Sequence, residues 1–194
     1  MRRIVIIDGH PDAAEERFLH AVATAYEKGA TSAGHSVRRI VVGHLDFPLL
    51  RRSDDFESGK PPAVIRECQE AIRWANHLVI LYPLWLGAMP AALKGFLEQV
   101  MRPGFAFEEA QRGRLPRRLL KGRSARIIVT MGMPSLFYRW YFRAHSVKSL
   151  ERNILAFCGV GPIHTSLIGM VDAMGPDQRA EWLVKIEALG RRAR

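Results

Sequence analysis

The residues with the clearest chemical meaning lie in a short turn between Pro83 and Pro90. Residues 84–89 read Leu-Trp-Leu-Gly-Ala-Met, with one tryptophan, one glycine and no charge. A turn that leaves Trp85 and Leu86 near solvent predicts a flat, apolar ligand lying over them. The alternative is that both side chains close the top of the hydrophobic core, and the turn alone does not separate the two interpretations.

The elements on either side of this turn predict where it lies. Residues 78–82 are an apolar run typical of a strand buried on both faces, and Pro83 ends it because proline cannot donate to a sheet. Pro90 is a favourable first residue for a helix. The apolar residues that follow have helical spacing: Leu93, Phe96, Leu97, Val100 and Met101. In an open parallel sheet the turn therefore lies at the carboxyl edge, where ligands bind.

The rest of the chain alternates between strand and helix patterns. Strands are predicted over residues 3–8, 37–45, 78–82, 125–130 and 163–171. Helices are predicted over residues 18–34, 63–75, 90–101, 146–157 and 176–189, and surface loops over residues 46–62, 104–124 and 131–145. Alternating strands and helices predict a single parallel α/β domain over residues 1–194.

Composition favours a soluble, cytoplasmic protein. The hydrophobic content of 48% and the charged content of 25% are ordinary for a globular domain, and no uncharged run is long enough to span a membrane. Cys68 and Cys158 lie in apolar helical patterns, which predicts reduced, buried thiols. The chain enters its first predicted strand directly, so we expect no secretion signal.

Several enzyme classes are disfavoured because their motifs are missing. No G-x-G-x-x-G follows the first strand, and neither a G-x-x-x-x-G-K-[ST] nor a G-x-S-x-G sequence occurs. These absences argue against a dinucleotide-binding Rossmann domain, a P-loop nucleotidase and an α/β-hydrolase. We also expect no metal site.

The formal net charge of +10 is unusual, and it is concentrated in one segment. That segment contains Arg112, Arg114, Arg117, Arg118, Lys121, Arg123 and Arg126. No helix-turn-helix, zinc-ligand or RNA-binding motif accompanies it, so we expect no specific nucleic-acid partner. A solvated surface, attraction of phosphate-bearing ligands and peripheral contact with an anionic membrane all stay open.

Two stretches resemble a known family. Residues 82–96 (YPLWLGAMPAALKGF) and 104–107 (GFAF) resemble the signature of the flavodoxin-like NAD(P)H:quinone oxidoreductases, which include the DT-diaphorase type and smaller bacterial quinone reductases. Gly9-His10-Pro11 after the first strand gives weaker support. The resemblance implies a flavodoxin-like three-layer fold, with a five-stranded parallel sheet of order 2-1-3-4-5. It also implies a flavin cofactor, FAD or FMN, and NAD(P)H as co-substrate.

The resemblance assigns flavin-binding roles to three groups of residues. His10 and Phe18 would hold the flavin phosphate, where backbone N–H groups and the helix dipole favour an anion and Arg17 can add positive charge. The isoalloxazine ring would lie against two further segments, made of Pro83, Leu84, Trp85, Leu86 and Gly87 and of Thr130, Met131 and Gly132.

Two catalytic residues are also implied. Tyr138 lies six residues after Gly132, as the family's active-site tyrosine does after its glycine. The family's histidine should follow six residues later, but Ala144 stands there and His145 comes next. Alternatively, Tyr138 is a core or dimer-interface residue and His145 an ordinary polar residue at a helix start.

The function implied by the resemblance is transfer of two electrons, as hydride, from NAD(P)H to a quinone by a ping-pong mechanism. The aromatic residues 133–142 predict a homodimer with the active sites at its interface. Two alternatives are a flavin-bound regulatory subunit that docks on a membrane transporter and a flavodoxin-type electron carrier. Such carriers are usually acidic, and the charge of +10 disfavours that class.

Overall fold

The computed structural model describes residues 1–108 and 116–193 of the protein. Its strands are β1 (Arg3–Asp8), β2 (Ser36–Val41), β3 (His77–Pro83), β4 (Phe107–Glu108), β5 (Arg117–Arg118), β6 (Ser124–Thr130) and β7 (Ile163–Ile168). Its helices are α1 (Phe18–Ser32), α2 (Ser53–Glu57), α3 (Ala63–Trp74), α4 (Ala91–Val100), α5 (Ser135–Trp140), α6 (His145–Ser149) and α7 (Pro176–Arg192). A π-helical segment, Leu150–Ala156, continues α6.

Five of these strands form one parallel sheet in the order β2-β1-β3-β6-β7. This is the 2-1-3-4-5 order that the family resemblance implied, so the predicted fold class is confirmed. Every residue of β3 is buried, as its apolar run predicted. Helices cover both faces: α1 and α7 pack on one side, and α3, α4 and α6 on the other.

The packing of α1 against α7 is close enough to require glycine on both helices. A Cβ at Gly29 would overlap the backbone of Glu187, and a Cβ at Gly190 would overlap the carbonyl oxygen of Tyr26. The contact fixes the position of α7 relative to α1. It therefore also positions the side chains of α7 that lie near the start of α1.

Several element boundaries differ from the sequence predictions. The second strand ends at Val41, because a 3-10 helical turn, Val42–His44, follows it, and Gly43 in this turn lies close to the carbonyl oxygens of His10 and Pro11. The last strand ends at Ile168, because Gly169 packs against the backbone of Ser135. Both close contacts involve segments that are distant in the sequence, and the hydrophobic pattern of neighbouring residues does not predict such contacts.

Two predicted loops contain short helices. Helix α2 lies within the predicted loop 46–62, and α5 lies within the predicted irregular loop 131–145. Each has five or six residues, too few for a helical period to emerge from the sequence. In the predicted basic loop, β4 pairs with β5 in antiparallel fashion, while Arg112 and Arg114 lie outside the described residues.

The two cysteines match their prediction, since Cys68 and Cys158 are both buried and free. Burial raises the pKa of each thiol to about 11, which keeps both protonated at neutral pH. No helix in the described part of the chain is long and apolar enough to cross a membrane.

Candidate active site

A cleft of about 530 Å³ opens at the carboxyl edge of the sheet. It brings together most of the residues that the sequence assigned to flavin binding: His10, Arg17, Phe18, Pro83, Leu84, Trp85, Thr130, Met131 and Gly132. They come from the loops after β1, β3 and β6 and from the start of α1. The cleft also contains residues that the sequence did not single out: Asp12, Glu16, Leu19, Val171, Asp172 and Arg179.

The start of α1 provides one end of the cleft with an anion-binding backbone. Helix α1 begins at Phe18, and no side chain caps it at Arg17. Its first turn contains no acidic residue. Backbone N–H groups at an uncapped helix start carry partial positive charge and are available to an anionic group. This end of the cleft therefore suits a phosphate.

The loop before α1 is held by its own polar contacts. Asp12 accepts a hydrogen bond from the Ala14 N–H at 2.9 Å, and its other oxygen lies 2.6 Å from an Arg17 nitrogen. The Ala14 N–H, and then Arg17, lower the pKa of Asp12, so its carboxylate stays charged. Arg17 thus forms an ion pair with Asp12, which neutralises much of the positive charge that we expected Arg17 to offer to the phosphate.

Arg179, near the start of α7, is a residue that sequence reasoning missed. Its guanidinium lies over the Phe18 ring at 5.3 Å, and it donates one hydrogen bond to the Val171 carbonyl at 3.1 Å. Its Nε is buried without a hydrogen-bond partner. Within residues 1–108 and 116–193, no carboxylate lies within ion-pair distance of Arg179. It is therefore a cation at the phosphate end whose charge is available to a ligand.

Trp85, in the turn after β3, gives the cleft an aromatic wall. Trp85 is 50% exposed, and its backbone exchanges two hydrogen bonds of 2.9 Å with Ala88. This tight turn places Leu86 and Gly87 at positive φ, which Gly87 adopts without strain. Both residues shape the turn without lining the cleft itself. The His10 and Trp85 rings are nearly perpendicular, with 6.0 Å between their centroids.

The loop after β6 closes the floor of the cleft. The Thr130 carbonyl accepts a hydrogen bond from the Leu84 N–H at 2.7 Å, which ties this loop to the aromatic turn. A Cβ at Gly132 would lie 2.5 Å from a carboxylate oxygen of Asp172, so the Asp172 side chain comes close to this loop. Asp172 adds an acidic group that the sequence did not predict here.

The chemistry of His10 follows from its surroundings. Burial lowers the pKa of His10, and the nearby Asp12 carbonyl only partly offsets this effect. Its Nδ1 lies 2.9 Å from the Asp12 carbonyl oxygen and 3.1 Å from the Asp12 backbone nitrogen, so it can donate to the first or accept from the second. His10 is thus a neutral polar group in the cleft at pH 7, able to hydrogen-bond a phosphate without adding charge.

The structure does not bring the two predicted catalytic residues into this cleft. Tyr138 is 1% exposed, and its hydroxyl is buried with those of Tyr82 and Ser146, all without a well-formed hydrogen bond. Burial raises the pKa of Tyr138. His145 is the exposed first residue of α6. Neither side chain is among those that line the cleft.

Comparison with known proteins identifies the family. A family model described as a flavodoxin-like fold matches residues 2–189. This chain belongs to the flavodoxin-like family. In this fold the strand order reverses between β1 and β3, and ligands bind in the crevice at that point. The loops after β1 and β3 supply the phosphate end and the aromatic wall, so the cleft lies at the reversal point.

Three proteins that are similar to this chain are named as oxidoreductases. A Haemophilus influenzae protein named as an uncharacterized NAD(P)H oxidoreductase is 26% identical, over 85% of this chain and 82% of that protein. The FMN-dependent NADH:quinone oxidoreductase 3 of Pseudomonas aeruginosa is 30% identical, over 64% of this chain and 55% of its own length. The solved NAD(P)H:quinone oxidoreductase from Methanothermobacter marburgensis has a TM-score of 0.83, with 23% identity over 100% of this chain and 99% of that one. At that identity the structural likeness shows the fold alone.

A set of exposed aromatic and aliphatic side chains lies on and just after α5. It consists of Leu136, Phe137, Trp140, Tyr141 and Phe142, which we call the α5 patch. The rings of Phe137 and Tyr141 stack at 5.0 Å between centroids. An apolar cluster of this kind is uncommon on the surface of a monomer and is typical of a surface that a partner covers.

Proposed function

We propose that this protein is a flavin-dependent NAD(P)H oxidoreductase that transfers two electrons, as hydride, from a nicotinamide to a quinone or similar acceptor. The cleft at the strand-reversal point carries this proposal, because it combines an anion-binding end with an aromatic wall in one crevice. The names of the Haemophilus and Pseudomonas relatives support it independently.

The residues present fit a flavin. The uncapped start of α1 and the guanidinium of Arg179 would hold its phosphate, and the buried Nε of Arg179 is a donor without a partner in the described structure. The ring system would lie against Trp85, with backbone groups of the loops after β3 and β6 at its polar edge. The bound flavin would accept hydride from the nicotinamide and pass it to the acceptor.

The aromatic wall would also select the substrates. Trp85 leaves one flat, half-exposed apolar face at the cleft, which suits a nicotinamide ring and a quinone in turn. Because one face would serve both substrates, the first product must leave before the second substrate binds. This arrangement supports a ping-pong mechanism.

FMN is the flavin that we propose over FAD. The Pseudomonas relative is named as FMN-dependent, and both arginines of the cleft, Arg17 and Arg179, lie at the start of α1. The flavin released from heat-denatured holoprotein should therefore co-elute with FMN in chromatography. Release of FAD would contradict this assignment and leave the hydride-transfer proposal intact.

The family resemblance implies catalytic roles for Tyr138 and His145, and the proposed function does not depend on them. An exposed histidine at a helix start and a buried tyrosine do not reach the cleft in the structure described. A role for either residue would require movement of the segment that carries α5 and α6.

Turnover of the isolated protein tests the proposed function. With FMN bound, we expect NADH or NADPH oxidation that depends on an added benzoquinone or naphthoquinone, with parallel lines in double-reciprocal plots. Trp85→Ala should reduce this turnover while the folded state is retained, because the side chain is half exposed. The exposed Leu49→Ala is the matched control and should match wild type. Absence of quinone-dependent oxidation with both nucleotides would contradict the proposal.

A further inference from the structure

A buried ionic cluster lies directly behind the phosphate end of the cleft. The carboxylate of Asp8, at the end of β1, is fully buried. Its Oδ2 accepts hydrogen bonds from Arg39 at 2.6 Å and from Nδ1 of His20 at 2.6 Å. Because both donors meet the same oxygen, Asp8 acts there as an ionised acceptor.

The second ring nitrogen of His20 is also engaged. Its Nε2 lies 2.9 Å from the backbone carbonyl oxygen of Asp12. Neither a carbonyl oxygen nor the shared oxygen of Asp8 can donate a hydrogen bond, so each of these contacts requires an N–H on the imidazole. A neutral ring would leave one nitrogen lone pair facing an oxygen lone pair. The geometry therefore describes an imidazolium that joins β1 to the loop before α1.

The groups around His20 leave the cluster with a net positive charge. Asp8 contributes one negative charge, while Arg39 and the imidazolium contribute two positive ones. The His10 ring lies 5.3 Å away between centroids. The other charged or titratable groups near this side of α1, in the adjacent cavity or in contact with Arg39, are Asp12, Glu15, Glu27, Lys28, His44 and Glu187.

We propose that His20 is a positioning residue for flavin binding: as an imidazolium it fixes the Asp12 carbonyl to buried Asp8 and so holds the loop that binds the phosphate. This inference rests on the proposed function. Without this imidazolium, the loop between β1 and α1 would lose a hydrogen bond to Asp8 or to Asp12, and flavin affinity would fall.

Nitrogen-15 NMR of the histidine side chains in the flavin-free protein tests the protonation state itself. The expected result at pH 7 is that both ring nitrogens of His20 have imidazolium shifts. His164, exposed on β7 far from the cleft, is the internal reference for an ordinary histidine. A single protonated nitrogen on His20 would overturn the inference, whatever the protein binds.

Titration of the flavin-free protein with FMN, followed by flavin fluorescence, tests the consequence. We expect His20→Gln to raise the Kd about 10-fold, the size of one lost hydrogen bond to a charged group. His164→Gln should behave as wild type. A Kd of His20→Gln equal to that of wild type would overturn the positioning role. FMN that fails to bind the wild-type protein, with His20 doubly protonated, would overturn the proposed function and this role with it.

Discussion

At the scale of single residues, Arg179 is the group whose charge matters most at the phosphate end, because Asp12 pairs with Arg17. We expect Arg179→Gln to weaken FMN binding by about 10- to 100-fold, the range for one hydrogen bond to a charged group. Riboflavin, which lacks the phosphate, should lose little affinity. Arg192→Gln, exposed at the far end of the same helix, is the control. Equal losses for FMN and riboflavin would show that Arg179 does not act on the phosphate.

Tyr138 gives a residue-scale test of the family resemblance. The resemblance implies a catalytic hydroxyl, and its loss would lower the rate about 5- to 150-fold. The structure buries this hydroxyl away from the cleft without a well-formed hydrogen bond. We therefore expect Tyr138→Phe to keep kcat within about twofold and to retain its flavin, with the free energy of unfolding unchanged or increased. A large fall in kcat with full flavin content would instead support the catalytic role.

The sequence predicted some site residues and missed others for a physical reason. Trp85 and its turn were predictable because a buried strand, two prolines and a helix bracket them in one continuous stretch. Arg179 and Asp172 were not, because they reach the cleft only through the end of β7 and the docking of α7. The pairing of Arg17 with Asp12 likewise depends on the shape of the loop between β1 and α1.

At the scale of elements, the contact between α1 and α7 positions both sides of the phosphate end. We expect Gly190→Ala to lower the free energy of unfolding by about 1–3 kcal/mol through overpacking, despite the better helix propensity of alanine. Urea unfolding measures the change. Gly175→Ala, at the start of the same helix with open space around its Cα, should change stability by less than about 1 kcal/mol. Equal effects of both substitutions would show that the close contact is not what Gly190 provides.

Elements were predictable where their apolar pattern was long and uninterrupted. Strand β3 and helix α4 follow their patterns closely. The strand is buried on both faces and the helix on one, and this burial determines where apolar residues are needed along each element. Helix α5 was missed because Tyr138 is the one buried residue among its six, so no buried face marks the sequence. Alternation predicted the α/β class, whereas the strand order came from the family resemblance.

At the scale of the whole molecule, the α5 patch predicts a homodimer. Light scattering should give about twice the chain mass of 21.9 kDa. Trp140→Asp, placed in the patch, should shift the protein toward the monomer because a charge would be buried at the interface. Val184→Asp, at an exposed position on α7, should leave the mass unchanged. A wild-type mass of 21.9 kDa at micromolar concentration would contradict the dimer.

The proposed function depends on whether the cleft at the carboxyl edge of the sheet binds a flavin. Calorimetric titration of the flavin-free protein with FMN tests this most directly, with Arg179→Gln and Arg192→Gln measured alongside. We expect one FMN per chain, loss of affinity in Arg179→Gln, and wild-type binding in Arg192→Gln. Failure of both FMN and FAD to bind the folded protein, or binding that Arg179→Gln leaves unchanged, would contradict flavin binding in this cleft.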